Sequence, residues 1–242
     1  TEKEMSALNK ILLAQKCVSF DTETTATDPL RCELVGLSFS FKEGEAYYIP
    51  VSANREEALR QLELFRPFFE EESILKVGQN IKYDLLVLRT YHLEVKGPLF
   101  DTMIAHYLIN PEIRHGMDYM AETYLKYKTI PIEDLIGPRG KNQKTMRGVA
   151  PEVVSDYASE DADITLRLKN MLEKEIKENG LEELFYQVEI PLTRVLADME
   201  WNGVRLDLEA LNELSTTYTA ELRTIEEEII TLAGTEFNVN SP

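Results

Sequence analysis

The sequence predicts an α/β domain with a mixed central sheet flanked by helices, followed by a C-terminal helical extension. Three observations predict it. Strand-like and helix-like runs interleave over roughly the first 90 residues. The remainder is mostly helical in period, and a composition boundary falls at Asn179-Gly180, beyond which only helical stripes occur. The chain has 242 residues, 43% of them hydrophobic, which is enough for one large domain or a domain with an appendage.

Each element follows in order. Residues 4–14 read as a short amphipathic helix. Cys17-Val-Ser-Phe-Asp is a strand. Residues 33–41 and 46–51 are β-rich runs on either side of Lys42-Glu-Gly-Glu, a hairpin signal. Asn54 can cap a helix over 55–70, and residues 73–77 form another strand. Gly78-Gln-Asn opens a helix through Arg89, Asp101 caps one toward Leu108, and a further helix covers 117–125. Pro151 suits the first turn of a long helix reaching Glu178. Past Gly180, a stripe runs from Leu181 through Leu184, Val188 and Leu192 to Leu196. Asn202-Gly203 then turns the chain into a helix over 207–233 that ends before Gly234. This last helix has little of its own to pack on, and it reads as the beginning of a further domain. The sequence does not begin with Met, so it reads as a piece of a longer chain.

The net charge is −17, from 43 acidic and 26 basic residues. Such a balance favours solubility and argues against a generic polyphosphate-binding surface. One stretch departs from it. Residues 135–151 lack acids and carry Arg139, Lys141, Lys144 and Arg147, read either as a nucleic-acid contact or as an ordinary solvated loop. No apolar run approaches the ~20 residues needed to span a bilayer. Cys17 and Cys32 show no metal-type spacing, so a reducing, cytoplasmic setting is expected.

The chemistry sits in three separated acidic segments. Asp21 and Glu23 are two apart at the end of a strand and point to one face. Asp84 flanks the buried stripe Ile81, Leu85, Leu88, where it serves either a site or the dipole of its own helix. The face Val154, Tyr157, Ala158, Asp161, Ile164, Leu168, Leu172 places Asp161 where the helical period demands an apolar residue. A buried carboxylate needs a partner or a metal. Tyr157, one turn earlier, is either that partner or the holder of a water beside an ion. Four carboxylates brought together repel unless cations neutralise them, and an all-oxygen set suits Mg²⁺ or Mn²⁺.

Asp-X-Glu, then Asn-X-X-X-Asp, then Tyr-X-X-X-Asp resembles the pattern of the 3′–5′ exonucleases named for four acidic residues and a tyrosine. Val77-Gly-Gln-Asn-Ile-Lys-Tyr-Asp, Phe100-Asp-Thr-Met, Lys141-Asn-Gln and Tyr157-Ala-Ser-Glu-Asp-Ala-Asp are similar to the proofreading domain of the bacterial DNA polymerase I family. Asn202-Gly-Val-Arg-Leu-Asp and Glu236-Phe-Asn-Val-Asn-Ser-Pro are similar to the start of that family's polymerase thumb.

The resemblance implies a ribonuclease-H-like 3′–5′ exonuclease domain over 1–180 and the start of a truncated thumb domain over 181–242. It implies two divalent cations, Mg²⁺ with Mn²⁺ or Zn²⁺ as alternatives. Asp21, Glu23 and Asp161 would hold the first, with Asp21 bridging to the second. Asp84 would hold the second largely through water. Tyr157 would orient the attacking water, assisted by Glu23. Gln79, Asn80, Tyr83, Met103 and Arg114 match positions lining the single-strand site, although Arg114 also reads as a plain loop arginine. The implied partners are a single-stranded DNA 3′ end, the nucleoside 5′-monophosphate product and the polymerase domain of the same full-length chain. The implied setting is bacterial, cytoplasmic and nucleoid-associated, without a membrane. Two departures stand out: Thr27 lies near the place of a wedging leucine, and Ile132 stands where an aromatic commonly stacks a base. Rival readings are a free-standing RNA-trimming exonuclease and a catalytically silent scaffold.

Overall fold

A computed structural model describes residues 1–241. The chain opens with helix α1 (Glu2–Leu13), closed at its start by a Thr1/Glu4 capping box. It then runs through strands β1 (Cys17–Thr24), β2 (Leu34–Lys42) and β3 (Glu45–Pro50). Strand β4 (Leu75–Gly78) and a three-residue β5 (Leu99–Asp101) complete a five-stranded sheet in the order β3-β2-β1-β4-β5. β1, β2 and β3 pair antiparallel, whereas β4 and β5 run parallel to β1. The sheet is therefore mixed, as the interleaved periodicities predict.

Alternation along β1 and β2 sorts the two faces. Phe20 and Phe39, paired across the strands, face Phe65, Phe68 and Phe69, all fully buried. Phe39 stacks on Phe65 at 5.4 Å between centroids, and Phe20 meets Phe69 edge-on at 5.3 Å. The residues between them, Ser19, Asp21 and Glu23 on β1 with Gly36 and Ser38 on β2, take the opposite face. There the long helix α8 (Pro151–Glu178) packs across β1, β2 and β3.

The helix expected over 55–70 is two helices, α2 (Arg55–Glu63) and α3 (Arg66–Glu70). Pro67 has no N–H for the Glu63 carbonyl, which is where α2 ends. β5 was not expected, because three residues are too few to show a period. Helices α4 (Ile81–Thr90) and α5 (Thr102–Ile109) follow β4 and β5 directly. α6 (Met117–Met120) continues into a π-helical turn (Ala121–Leu125), and α7 (Ile132–Ile136) is a short helix with no sequence signal.

Past Gly180, α9 (Glu182–Leu184), a π-helical turn (Phe185–Glu189) and α10 (Ile190–Asn202) follow. Pro191 cannot donate to the Gln187 carbonyl, which accounts for the widened turn before it. The first compact unit reaches Trp201, beyond the composition boundary at Gly180. Phe185 is fully buried against Phe100 (4.8 Å), and Arg194 donates to the Val95 and Gly97 carbonyls (2.6 and 2.7 Å). The second unit, from Asn202, consists mainly of α11 (Leu208–Ala233). Asp207 caps it and Gly234 ends it in the left-handed region (φ 69). Its stripe of Leu211, Leu214, Tyr218, Leu222 and Ile225 is exposed. Among the described residues, no helix is long and apolar enough to cross a membrane.

Candidate active site

The carboxyl ends of the parallel strands β1, β4 and β5 lie along one edge of the sheet, where α/β folds commonly bind ligands. Each delivers polar residues there: Asp21 to Thr24 from β1, Gln79 and Asn80 after β4, and Asp101 from β5. Asp101 holds this edge together. Its carboxylate accepts the N–H groups of Asn80 (3.2 Å) and Ile81 (2.8 Å), and also those of Met103 (2.8 Å) and Ile104 (3.2 Å). One buried side chain thus caps α4 and α5 together and sets their starts relative to the sheet. Asn80 turns the chain into α4 with a left-handed backbone (φ 56), a conformation asparagine tolerates better than most residues.

Asp21, Glu23 and Asp161 offer carboxylate oxygens that all lie within 4.8 Å of one another. Asp161 reaches them because α8 lies close over the sheet, with Ala158 and Ala162 flanking it in the core. Asp84 comes from α4. Its Oδ1 accepts both the backbone N–H (3.1 Å) and the hydroxyl (2.6 Å) of Thr22, so it sits beside the triad without belonging to it.

All four acids are harder to ionise than usual. Burial pushes Asp21 up to about 7. Burial, and then the charges of Asp21, Asp161 and Asp84, hold Glu23 well above the carboxylate range. Asp84 and Asp161 are raised by burial and by Asp21, against the opposing hydrogen bonds from Thr22 and the Tyr157 phenol respectively. Tyr157 itself is raised by burial and by the charge of Asp161.

The acids open into a cleft of about 480 Å³, lined also by Gln79, Asn80, Tyr83 and Tyr157. Gln79 is engaged at both ends of its amide: Nε2 donates to the His115 carbonyl (2.9 Å), and Oε1 accepts from the Thr102 hydroxyl. The Tyr83 hydroxyl lies 2.5 Å from Thr24 Oγ1 and donates to the Ala26 carbonyl (2.6 Å), pinning the loop that carries Thr27. Met103, half-buried on the first turn of α5, and exposed Arg114 do not line this cleft. Ile132 and Ile136 form an apolar wall. Glu160 of α8 holds the chain leading into it, accepting from Tyr127 Oη and Ile130 N–H, both at 2.7 Å.

Sequence reasoning missed Thr22, the double cap made by Asp101, and Tyr48. Tyr48 lies across Gly36, where a Cβ would meet its ring at 2.3 Å, and it is pushed up to about 12 by burial and by the charge of Glu23. None of the three carries a local signal, because each acts on a segment distant in sequence.

The donor set fits divalent cations. It is all oxygen, its members repel one another, and Glu23 Oε1 is buried with no hydrogen-bond partner. A mixed β3-β2-β1-β4-β5 sheet flanked by helices, here carrying such carboxylates at the carboxyl ends of its strands, is the ribonuclease-H-like fold. A family model for the 3′–5′ exonuclease matches residues 1–177, and the chain belongs to that family.

The chain is 39% identical over 245 residues to DNA polymerase I of Borreliella burgdorferi, covering 100% of this chain and 26% of the relative. It is 37% identical over 246 residues to DNA polymerase I of Pseudomonas aeruginosa, covering 96% and 26%. It thus spans about a quarter of the length of these relatives. Among solved structures, the POL domain of Pol1 from M. smegmatis in complex with DNA primer-template and dNTP superposes with a TM-score of 0.78. The two are 20% identical, over 99% of this chain and 38% of that one. Brucella melitensis NrnC with bound Mg²⁺ gives 0.61 at 23% identity, over 80% and 90%. At these identities the structures bear on the fold alone.

Proposed function

We propose that the cleft hydrolyses the 3′-terminal phosphodiester of single-stranded or frayed DNA with the help of two divalent cations, releasing nucleoside 5′-monophosphates. The observation that carries this reading is the cleft of four carboxylates, those of Glu23, Asp84 and Asp161 buried, in which Glu23 Oε1 has no partner. Asp21, Glu23 and Asp161 would hold one cation and Asp84 would serve the second, with Mg²⁺ the expected ion and Mn²⁺ or Zn²⁺ as substitutes. When bound, such ions polarise the phosphate and lower the pKa of water.

The chain's own residues do the rest. In the cation-free site the Tyr157 phenol donates its hydrogen bond to Asp161. With cations neutralising the acids, the phenol would be free to donate to and orient the attacking water, and an ionised Glu23 would accept a proton from that water. Water oxygen bonds to phosphorus, the bond to the penultimate 3′ oxygen breaks, and that oxygen takes up a proton from solvent water while Glu23 later releases the proton it accepted. Gln79, Asn80 and Tyr83 shape the mouth that receives the terminal nucleotide.

The polymerase relatives support a larger setting for this reading. The domain proofreads for a polymerase domain of the same full-length chain, residues 181–242 begin that chain's thumb, and the protein works in the bacterial cytoplasm at the nucleoid. The test is chromatography of products from a single-stranded DNA oligonucleotide and its RNA counterpart with Mg²⁺ or Mn²⁺. Stepwise release of deoxynucleoside 5′-monophosphates is expected. Nucleoside 3′-monophosphates or internal fragments would contradict the reading, and equal turnover of RNA would favour RNA trimming.

A further inference from the structure

A cleft lined by four carboxylates repels the polyanion it is to receive, so a fixed cation at its rim has a defined use. Among the described residues that line this cleft, Lys144 is the one cation. Its loop is built rather than loose. The Lys144 N–H donates to the Ile136 carbonyl (2.9 Å), while Gln143 donates its N–H to Gly140 (3.1 Å) and its Nε2 to Gly137 (3.1 Å). Three residues on, Arg147 donates to the Val51 and Leu34 carbonyls, both at 2.5 Å, anchoring the loop to the sheet. Arg147 is therefore spent on backbone, and Arg139 stands exposed near Glu133 (4.0 Å), outside the lining. Lys144 is exposed and forms no ion pair among the described residues, which leaves its ammonium available to a ligand.

Resting on the nuclease reading above, we infer that Lys144 is a substrate-binding residue that neutralises a backbone phosphate of the strand entering the cleft. Its backbone is hydrogen-bonded to Ile136, which with Ile132 forms the apolar wall of the cleft; in this inference the wall takes the base face while the ammonium takes the phosphate. Of the basic loop residues, this assigns nucleic-acid contact to one and structure to another.

The test is binding of a fluorescent single-stranded oligonucleotide in Ca²⁺ at several salt concentrations, followed by cleavage kinetics in Mg²⁺. Lys144→Gln is expected to weaken binding about tenfold at low salt and to flatten the log–log salt slope by about 0.7, the value for one phosphate contact on a single strand. KM rises in step while kcat stays within about twofold, and Lys144→Arg restores the affinity and KM. Arg139→Gln serves as the control and is expected to match the wild type. Wild-type binding with an unchanged slope in Lys144→Gln would overturn the inference alone. No binding by well-folded wild type would overturn the inference and the nuclease reading together.

Discussion

Thr22 donates its backbone N–H (3.1 Å) and its hydroxyl (2.6 Å) to one carboxylate oxygen of Asp84, Oδ1. The strand bearing Asp21 and Glu23 thereby fixes the acid that comes from α4. The second oxygen of Asp84 is left for whatever enters the cleft, in an orientation the strand determines. Thr22→Val keeps the shape and removes the hydroxyl. It is expected to lower kcat about 10- to 100-fold with little change in KM and to weaken Mn²⁺ binding, whereas Thr22→Ser retains both. Single-turnover kinetics with a parallel Mn²⁺ titration checks this; wild-type values for Thr22→Val would remove Thr22 from the site.

The acids make the cation-free fold sensitive to pH. Burial raises Asp21 from an ordinary 3.8 to about 7, and its three neighbours shift in the same direction. A raised carboxylate pKa means the folded state holds protons that the unfolded state has released. Its contribution is full below about pH 4 and is lost as pH rises through about 7. In EDTA, the melting temperature should fall between pH 5 and 8, and the fall should be smaller in Asp21→Asn. Added Mg²⁺ should flatten the wild-type curve. A flat EDTA profile would show that the carboxylates are not mutually strained.

Asp161→Asn separates stability from activity. It removes one charge from the cluster while keeping the shape of the side chain. The cation-free protein should gain about 1 kcal/mol, a rise of about 2–4 °C in melting temperature, while exonuclease activity is lost. Calorimetry in EDTA beside an activity assay reads both. A lower melting temperature would mean that the hydrogen bond from the Tyr157 phenol outweighs the repulsion from the neighbouring acids.

Arg147 anchors the loop that carries Lys144 through the Val51 and Leu34 carbonyls. Arg147→Met should destabilise the domain by about 2 kcal/mol, because two buried carbonyls lose a charged donor. Substrate binding should weaken as well, since the loop no longer holds Lys144 at the rim. Denaturant unfolding together with KM measures the two effects, and an unchanged KM would uncouple the anchor from the cleft.

Much of the site was legible in the sequence because its residues break a local pattern. Asp161 interrupts an apolar helical stripe, and Asp21 and Glu23 sit two apart at a strand end. The helical start after Gly78 and the capping role of Asp101 at α5 were legible for the same reason. What stayed hidden depends on pairing between distant segments. Asp101 caps α4 as well only because β5 runs parallel to β4, and β5 is too short to announce itself. Thr22 reaches Asp84 across 62 positions. Lys144 looked equivalent to Arg139, Lys141 and Arg147 until the fold placed it in the cleft lining and gave Arg147 two carbonyls. The breaks at Pro67 and Pro191 were written in the sequence, but the apolar stripes running through them masked their effect.

The most direct measurement is digestion of a 5′-labelled single-stranded oligonucleotide by the wild type and by Asp84→Ala, each with Mg²⁺, with Mn²⁺ and with EDTA. The expected result is a ladder shortening from the 3′ end with either cation, absent in EDTA and reduced at least about 100-fold in the variant. A ladder that persists in EDTA, or one that Asp84→Ala leaves unchanged, would contradict a cation-dependent exonuclease built on these four carboxylates.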